Sequence, residues 1–137
     1  MKILALDFGD KRIGVALSDA LGITAQSVGA IYRENDNYGF NFIRDLIGKE
    51  EIKEIVVGLP LNMNGSHGPA AKKAEDFADK LKNEFGLPVA LWDERMTTIE
   101  AERVMIEGGA SRGKRKRKID KLAAQLILQS YLGAKGA

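Results

Sequence analysis

Apolar and polar positions along this chain follow two rhythms, one of period two and one near 3.6, and segments of each kind succeed one another in a clear order. Ile3 to Leu6 is an unbroken apolar run that gives way to Asp7. Such a run belongs to a strand covered on both faces, so Asp7 is expected where the covered sheet ends. Gly9 and Asp10 make a turn. From Arg12 to Ser18 the chain alternates, with Ile13, Val15 and Leu17 on one face and Gly14, Ala16 and Ser18 on the other. Leu21-Gly22 turns again into a third strand, Ile23 to Tyr32, antiparallel to the second.

The period then changes. Phe42, Ile43, Leu46 and Ile47 recur at helical spacing and predict a helix over 38–49. Ile52 to Leu59 is a short apolar run ended by Pro60, which reads as a buried parallel strand reached by a crossover. Leu61 to Gly68 is a loop of turn formers. Pro69 suits a first helical position, and Ala70, Ala71, Ala74, Phe77, Ala78, Leu81 and Phe85 hold the 3.6 period until Gly86. Leu87 to Trp92 is a fifth strand. Thr97 or Thr98 can cap a third helix that closes at Gly108-Gly109. A basic loop, Ala110 to Lys118, leads into a last helix over 119–132. The sum is an α/β domain spanning 1–137, with a five-stranded mixed sheet, three strands antiparallel and then two parallel, and helices on both faces.

Composition adds three constraints. With 137 residues the chain is sized for one domain with a real core, and with no cysteine it has neither disulfides nor a thiolate metal site. No stretch is apolar for long enough to span a bilayer, and no cleavable leader precedes the first strand, so a soluble cytoplasmic protein is expected. The net charge of +2 hides an asymmetry. Arg112, Lys114, Arg115, Lys116, Arg117 and Lys118 hold six of the 21 basic residues; the other 15 face 19 acids. A mildly acidic body with one concentrated cationic segment is the pattern of an anion-binding arm.

Three acids stand in unusual places. Asp7 follows the first strand and Glu94 the fifth. The carboxyl ends of the first, fourth and fifth strands share one sheet edge, so these two face a common crevice. Asp120 falls at the edge of an apolar stripe formed by Ile119, Leu122, Ala123, Leu126 and Ile127, and it can reach that crevice from above. Asp7 also reads as an ordinary turn aspartate, and Asp120 as a first-turn acid favoured by the helix dipole. Together the three are hard oxygen ligands suited to Mg²⁺ or Mn²⁺, in a site able to act on a phosphodiester.

DFGDKRIGVALSD (7–19), VVGLPLNMNGS (56–66), WDERMTT (92–98) and RKIDKLAAQLILQSYL (117–132) together resemble the YqgF family of RNase H-like proteins, described as Holliday junction resolvases or pre-16S rRNA nucleases. The resemblance spans nearly the whole chain. It implies an RNase H-like fold and a metal-dependent nuclease, acting in 5′-end processing of pre-16S rRNA or, as the alternative, as a resolvase on Holliday junctions in DNA, with Asp7, Glu94 and Asp120 as catalytic acids and metal ligands. RNase H-like enzymes often take an acid from the fourth strand, whereas here that strand ends in Gly58-Leu59-Pro60.

Around the acids, Lys11 and Arg12 are expected to neutralise Asp7 or contact the scissile phosphate, and Arg95 to orient the neighbouring acid, bind phosphate or form a surface pair. Asn62, Asn64, Gly65, Ser66 and His67 read either as a backbone-binding loop at the crevice mouth or as a well-made turn before a helix. Phe8 and Trp92 read as core. The basic run fits a nucleic-acid partner, structured RNA or branched DNA, with ribosome-assembly components as further partners. A junction resolvase acts as a symmetric pair, while trimming an RNA end needs one subunit, so monomer and weak homodimer both stay open. Two other classes fit parts of the chain: the phosphate-gripping turn of sugar-kinase ATPases, and a non-catalytic RNA-binding assembly factor.

Overall fold

The computed structural model describes residues 1–95 and 112–135, with side-chain surroundings for 1–95 and 122–135. Five strands form one sheet: β1 (Lys2–Phe8), β2 (Arg12–Ser18), β3 (Ala25–Tyr32), β4 (Ile52–Leu59) and β5 (Val89–Asp93). Their spatial order is β3-β2-β1-β4-β5. β1 pairs antiparallel with β2, and β2 with β3, while β4 runs parallel to β1 and β5 parallel to β4. The three-then-two pattern and all five strands agree with the sequence reading. The third strand begins two residues later than expected, at Ala25, and the fifth starts at Val89.

Because β1 is central, successive side chains enter opposite layers. Leu4 and Leu6 join Ile13, Val15, Ile55 and Val57 on one face, covered by α1 (Phe40–Glu50) and α2 (Pro69–Phe85) through Ile43, Ala74, Phe77, Ala78 and Leu81. Ile3 and Ala5 join Ala16 and Val56 on the other, beneath α3 (Arg112–Lys135). By the same alternation Asp7 lies on the α3 side of the sheet and Phe8 on the α2 side. Phe8 stacks on Phe77 with ring centroids 4.3 Å apart, and Trp92 packs against the α3 layer, so both are half-buried and lie against the core.

The helix boundaries follow local chemistry. Gly39, at φ 69°, starts α1 and accepts the Ile43 amide at 3.0 Å. Pro69 occupies the first turn of α2, and Gly86, at φ 67°, ends it with its amide donating to the Lys82 carbonyl at 2.9 Å. The predicted helix from Thr97 to Gly109 lies outside the described residues.

Two expectations about the last helix need correction. The basic run is not a loop: α3 begins at Arg112 and carries Lys114 to Lys118 in its first turns. Lysine and arginine are good helix formers, and one glycine, Gly113, costs only about 1 kcal/mol, so charge density was a poor sign of a loop. The packed seam is also turned relative to the predicted stripe. Ala124, Ile127, Leu128 and Leu132 are buried, whereas Leu122, Ala123 and Leu126 are only half-buried.

Polar hooks set the position of α3 on the sheet. Gln125 donates to the Ala25 carbonyl at 3.0 Å, and Gln129 accepts from the Ala25 amide at 3.2 Å while donating to the Ile23 carbonyl at 3.3 Å. Trp92 Nε1 donates to Ser130 at 3.1 Å. Glu54, a buried carboxylate on β4, accepts from the Tyr131 hydroxyl and from Lys135 Nζ at 2.7 Å. A buried charge left without partners would cost several kcal/mol, so these two donors are what make Glu54 tolerable there. Burial and the bond to Glu54 push the Tyr131 hydroxyl up to about 12.

Candidate functional site

The carboxyl ends of β1 and β5 bring two of the predicted acids together. Asp7 is the penultimate residue of β1, and Glu94 follows β5 directly, where the chain turns helical. The Glu94 carboxyl is half-buried against Asp7 and hydrogen-bonded to it. Burial comes first among the causes that push Glu94 up to about 8; the negative charge and hydrogen bond of Asp7 come next, and the charge of Asp93 adds to them. Two like charges in a half-dry site cannot both ionise cheaply, so the pair holds a proton near neutral pH.

In the β1–β2 register Asp7 lies opposite Gly14, and a Cβ built on Gly14 would stand 3.5 Å from both Asp7 Cβ and Ala124 Cβ. Gly14 thus lies between the Asp7 side chain and Ala124 of α3, with room there for an ordinary van der Waals contact. Asp120, four residues before Ala124, falls within α3; its side chain lies outside the described residues. So do the side chains of Arg112, Lys114, Arg115, Lys116, Arg117 and Lys118. Among the described residues no three His, Cys, Asp or Glu side chains cluster tightly enough to hold a metal. The pair that is present offers only oxygen donors, the kind that a hard divalent cation takes, and such a cation would relieve the repulsion between the two carboxylates.

Arg95 joins two elements at the site's rim. Its guanidinium forms an ion pair with Asp93 at 2.8 Å, and its Nη1 donates to the Met63 carbonyl at 3.1 Å. This ties the end of β5 to the 61–68 loop and holds the Asp93 carboxyl below its ordinary range. The loop is knit within itself. Asn62 donates to the Ser66 hydroxyl at 2.9 Å, that hydroxyl donates to Asn64 Oδ1 at 2.6 Å, and the Ser66 amide donates to the same oxygen at 3.0 Å. His67 pairs with Glu75 at 2.6 Å.

Lys11 and Arg12 are exposed on the hairpin beyond Asp7. Sequence reasoning missed what holds that hairpin. Arg33 lies over the Phe8 ring, 4.4 Å from its centroid, and donates to the carbonyls of Gly9 at 2.9 Å and Asp10 at 3.2 Å. On the other side Lys73 of α2 pairs with Asp10 at 3.0 Å. Arg33 directly follows β3, and nothing in its spacing points to the hairpin. Asp93 was equally invisible as the partner that engages Arg95.

Comparison with known proteins gives a family and a fold. A family model described as "RuvX: Holliday junction resolvase" matches residues 1–134. A protein of Halothermothrix orenii named "Putative pre-16S rRNA nuclease" is 54% identical over 132 residues, covering 96% of this chain and 94% of its own length. One of the same name from Geobacillus kaustophilus is 52% identical over 137 residues, covering 98% and 99%. Among solved structures, T. thermophilus RuvC in complex with a Holliday junction substrate superposes with a TM-score of 0.55 at 13% identity, covering 100% of this chain and 96% of that one. Thermus thermophilus RuvC on its own gives 0.54 at 15% identity, covering 98% and 96%. Those identities speak for the fold alone, which is RNase H-like. On the match over 1–134 and relatives at half identity or better, the chain belongs to the RuvX (YqgF) family.

Proposed function

We propose that this chain is a divalent-metal-dependent endonuclease that hydrolyses phosphodiesters in pre-16S rRNA near its 5′ end, working as one RNase H-like domain over 1–137. The observation that carries the reading is the meeting of Asp7 and Glu94 at the carboxyl edge of the sheet, with Glu94 pushed up to about 8 by burial and by its partner. A structure seldom keeps two half-buried carboxyls in contact unless something cationic uses them. The name shared by the relatives at about half identity supports the RNA substrate.

In this reading Asp7 and Glu94 hold Mg²⁺ or Mn²⁺, with Asp120, one helical turn before Ala124, as the third ligand. The ion, when bound, supplies Lewis-acid activation of water and neutralises charge building on the phosphate. The protein does the rest. Arg33 and Lys73 fix the hairpin that carries Asp7, and α3 closes over Gly14 to keep bulk water from one side of the pair. Lys11, Arg12 and the basic first turns of α3, Arg112 and Lys114 to Lys118, hold backbone phosphates. Asn62, Asn64 and Ser66 line the crevice mouth, where Arg95 anchors their loop. Contacts of this kind position a strand without reading its sequence, so selectivity comes from the shape of the RNA.

A second reading, cleavage of four-way DNA junctions, follows from the family's description and uses the same acids. One experiment tests both. Labelled precursor rRNA, single-stranded RNA and four-way junctions are offered to the wild type and Asp7→Asn in Mg²⁺ and Mn²⁺. We expect precursor cleavage by the wild type and a loss of roughly three orders of magnitude or more in the variant, the scale of removing a catalytic group. Wild-type cleavage of the junction alone would move the assignment to DNA. Full activity in folded Asp7→Asn would end the nuclease reading at this site.

A further inference from the structure

Gly58, the penultimate residue of β4, sits next to the acidic pair. Val57 pairs with Leu6 across the β1–β4 ladder, and Gly58 pairs with Trp92 across β4–β5. Continuing the first register by one residue brings Gly58 beside Asp7. It follows Val57, whose side chain lies in the α2 layer, so the bare face of Gly58 looks toward α3. A Cβ built there would stand 2.6 Å from Ile127 Cδ1 and 3.0 Å from both Cγ and Cδ of Glu94. Carbon atoms in contact prefer about 3.5–4.0 Å, so one added methyl group would overlap two side chains at once. Its backbone does not require glycine in the left-handed region: Gly58 is absent from the positive-φ glycines among the described residues. What the position requires is space.

We propose that Gly58 is a positioning residue for the acidic pair: the missing side chain on β4 is the space over which the Glu94 carboxyl folds back to meet Asp7. This deepens the nuclease reading, since it takes that pair as the site. It also accounts for a fourth strand that ends without an acid. The acid arrives from the end of β5 and lies over the fourth strand, and a side chain on that strand would displace it. Of the two neighbours a new methyl group would meet, Ile127 is 1% exposed and packed on all sides, whereas half-buried Glu94 has solvent to turn into. The Ile127 overlap is the deeper one, and Glu94, at 3.0 Å, must give as well.

Gly58→Ala alone would mix this effect with strain on Ile127, so the test pairs it with Ile127→Val, which removes the Cδ1 atom at 2.6 Å. Two measurements are made on Ile127→Val with and without Gly58→Ala. The first, in metal-free protein, is the response of the Glu94 carboxyl-carbon resonance to Asp7→Asn. The second is Mn²⁺ affinity by electron paramagnetic resonance. We expect the double variant to unfold within a few degrees of Ile127→Val, to lose the Glu94 response to Asp7→Asn, and to bind Mn²⁺ roughly 10- to 100-fold more weakly, the scale for groups that orient metal ligands. An unchanged Glu94 response in the presence of Gly58→Ala would overturn the proposal. If that response depends on Gly58 while wild type binds no Mn²⁺, the positioning role stands and the metal-nuclease reading falls.

Discussion

Replacing Glu94 by Gln should make the metal-free protein more stable in alkaline solution while destroying its activity. Glu94 titrates near 8 in the folded chain against an ordinary 4.5. Between those values the native state holds a proton that the unfolded chain has released, so stability is fully present below the lower value and declines as pH rises toward the upper one. The decline is at most about 1.4 kcal/mol per pH unit, or on the order of 5 kcal/mol across the interval. The carboxyl is half-buried at the rim, where water and a small side-chain rotation relieve part of the cost, so the expected net effect is about 2–3 kcal/mol. Gln keeps the shape and can still donate a hydrogen bond to Asp7, but it has no charge to bury. Urea unfolding followed by circular dichroism, with chelator present, should give matching midpoints for the two proteins near pH 5. Near pH 9 the variant's midpoint should lie roughly 1–2 M higher, given slopes of about 1–3 kcal/mol per M. Millimolar Mg²⁺ should recover the wild type's loss and leave the variant unmoved, because a ligand stabilises only the state that binds it. Parallel stability profiles from pH 5 to 9 would refute the reasoning, since they would mean that Glu94 ionises beside Asp7 at no cost.

Arg95→Ala should leave global stability within about 1 kcal/mol of wild type, as expected for a partly exposed ion pair. It should also move the acid limb of the pH–rate profile upward, because the Asp93 charge that already raises Glu94 would lose its counter-ion; an unmoved limb would mean that Asp93 and Glu94 do not communicate. Changing Lys114, Lys116 and Lys118 together to Gln should weaken binding of a catalytically dead Asp7→Asn protein to RNA. The slope of log affinity against log salt should fall by about 2–3, nearly one for each phosphate that the three lysines no longer neutralise. The same slope before and after would place the phosphate-binding groups elsewhere.

The sequence by itself determined the sheet, because a strand's period of two and a helix's period of 3.6 are written into which residues are apolar. β1, β2, β4 and α2 could be placed to within a residue or two for that reason, and Pro69 and Gly86 marked the ends of α2 through their own backbone preferences. Asp7 and Glu94 were also legible as acids at strand ends, since an acid after a covered run is costly unless used. Phase and space were not legible. A broad apolar stripe on α3 does not say which line along it touches the sheet; the hooks from Gln125 and Gln129 to Ala25 and Ile23 go with the line that buries Ala124, Ile127, Leu128 and Leu132. Nor does a run of lysines and arginines say whether its backbone is helix or loop, since the charges suit both. Only the tertiary structure showed Arg33 reaching back to the hairpin, Arg95 joining Asp93 to the Met63 carbonyl, and Gly58 leaving room for Glu94. Each depends on distances between residues that the one-dimensional pattern leaves independent, and packing fixes those distances after every strand and helix has been specified.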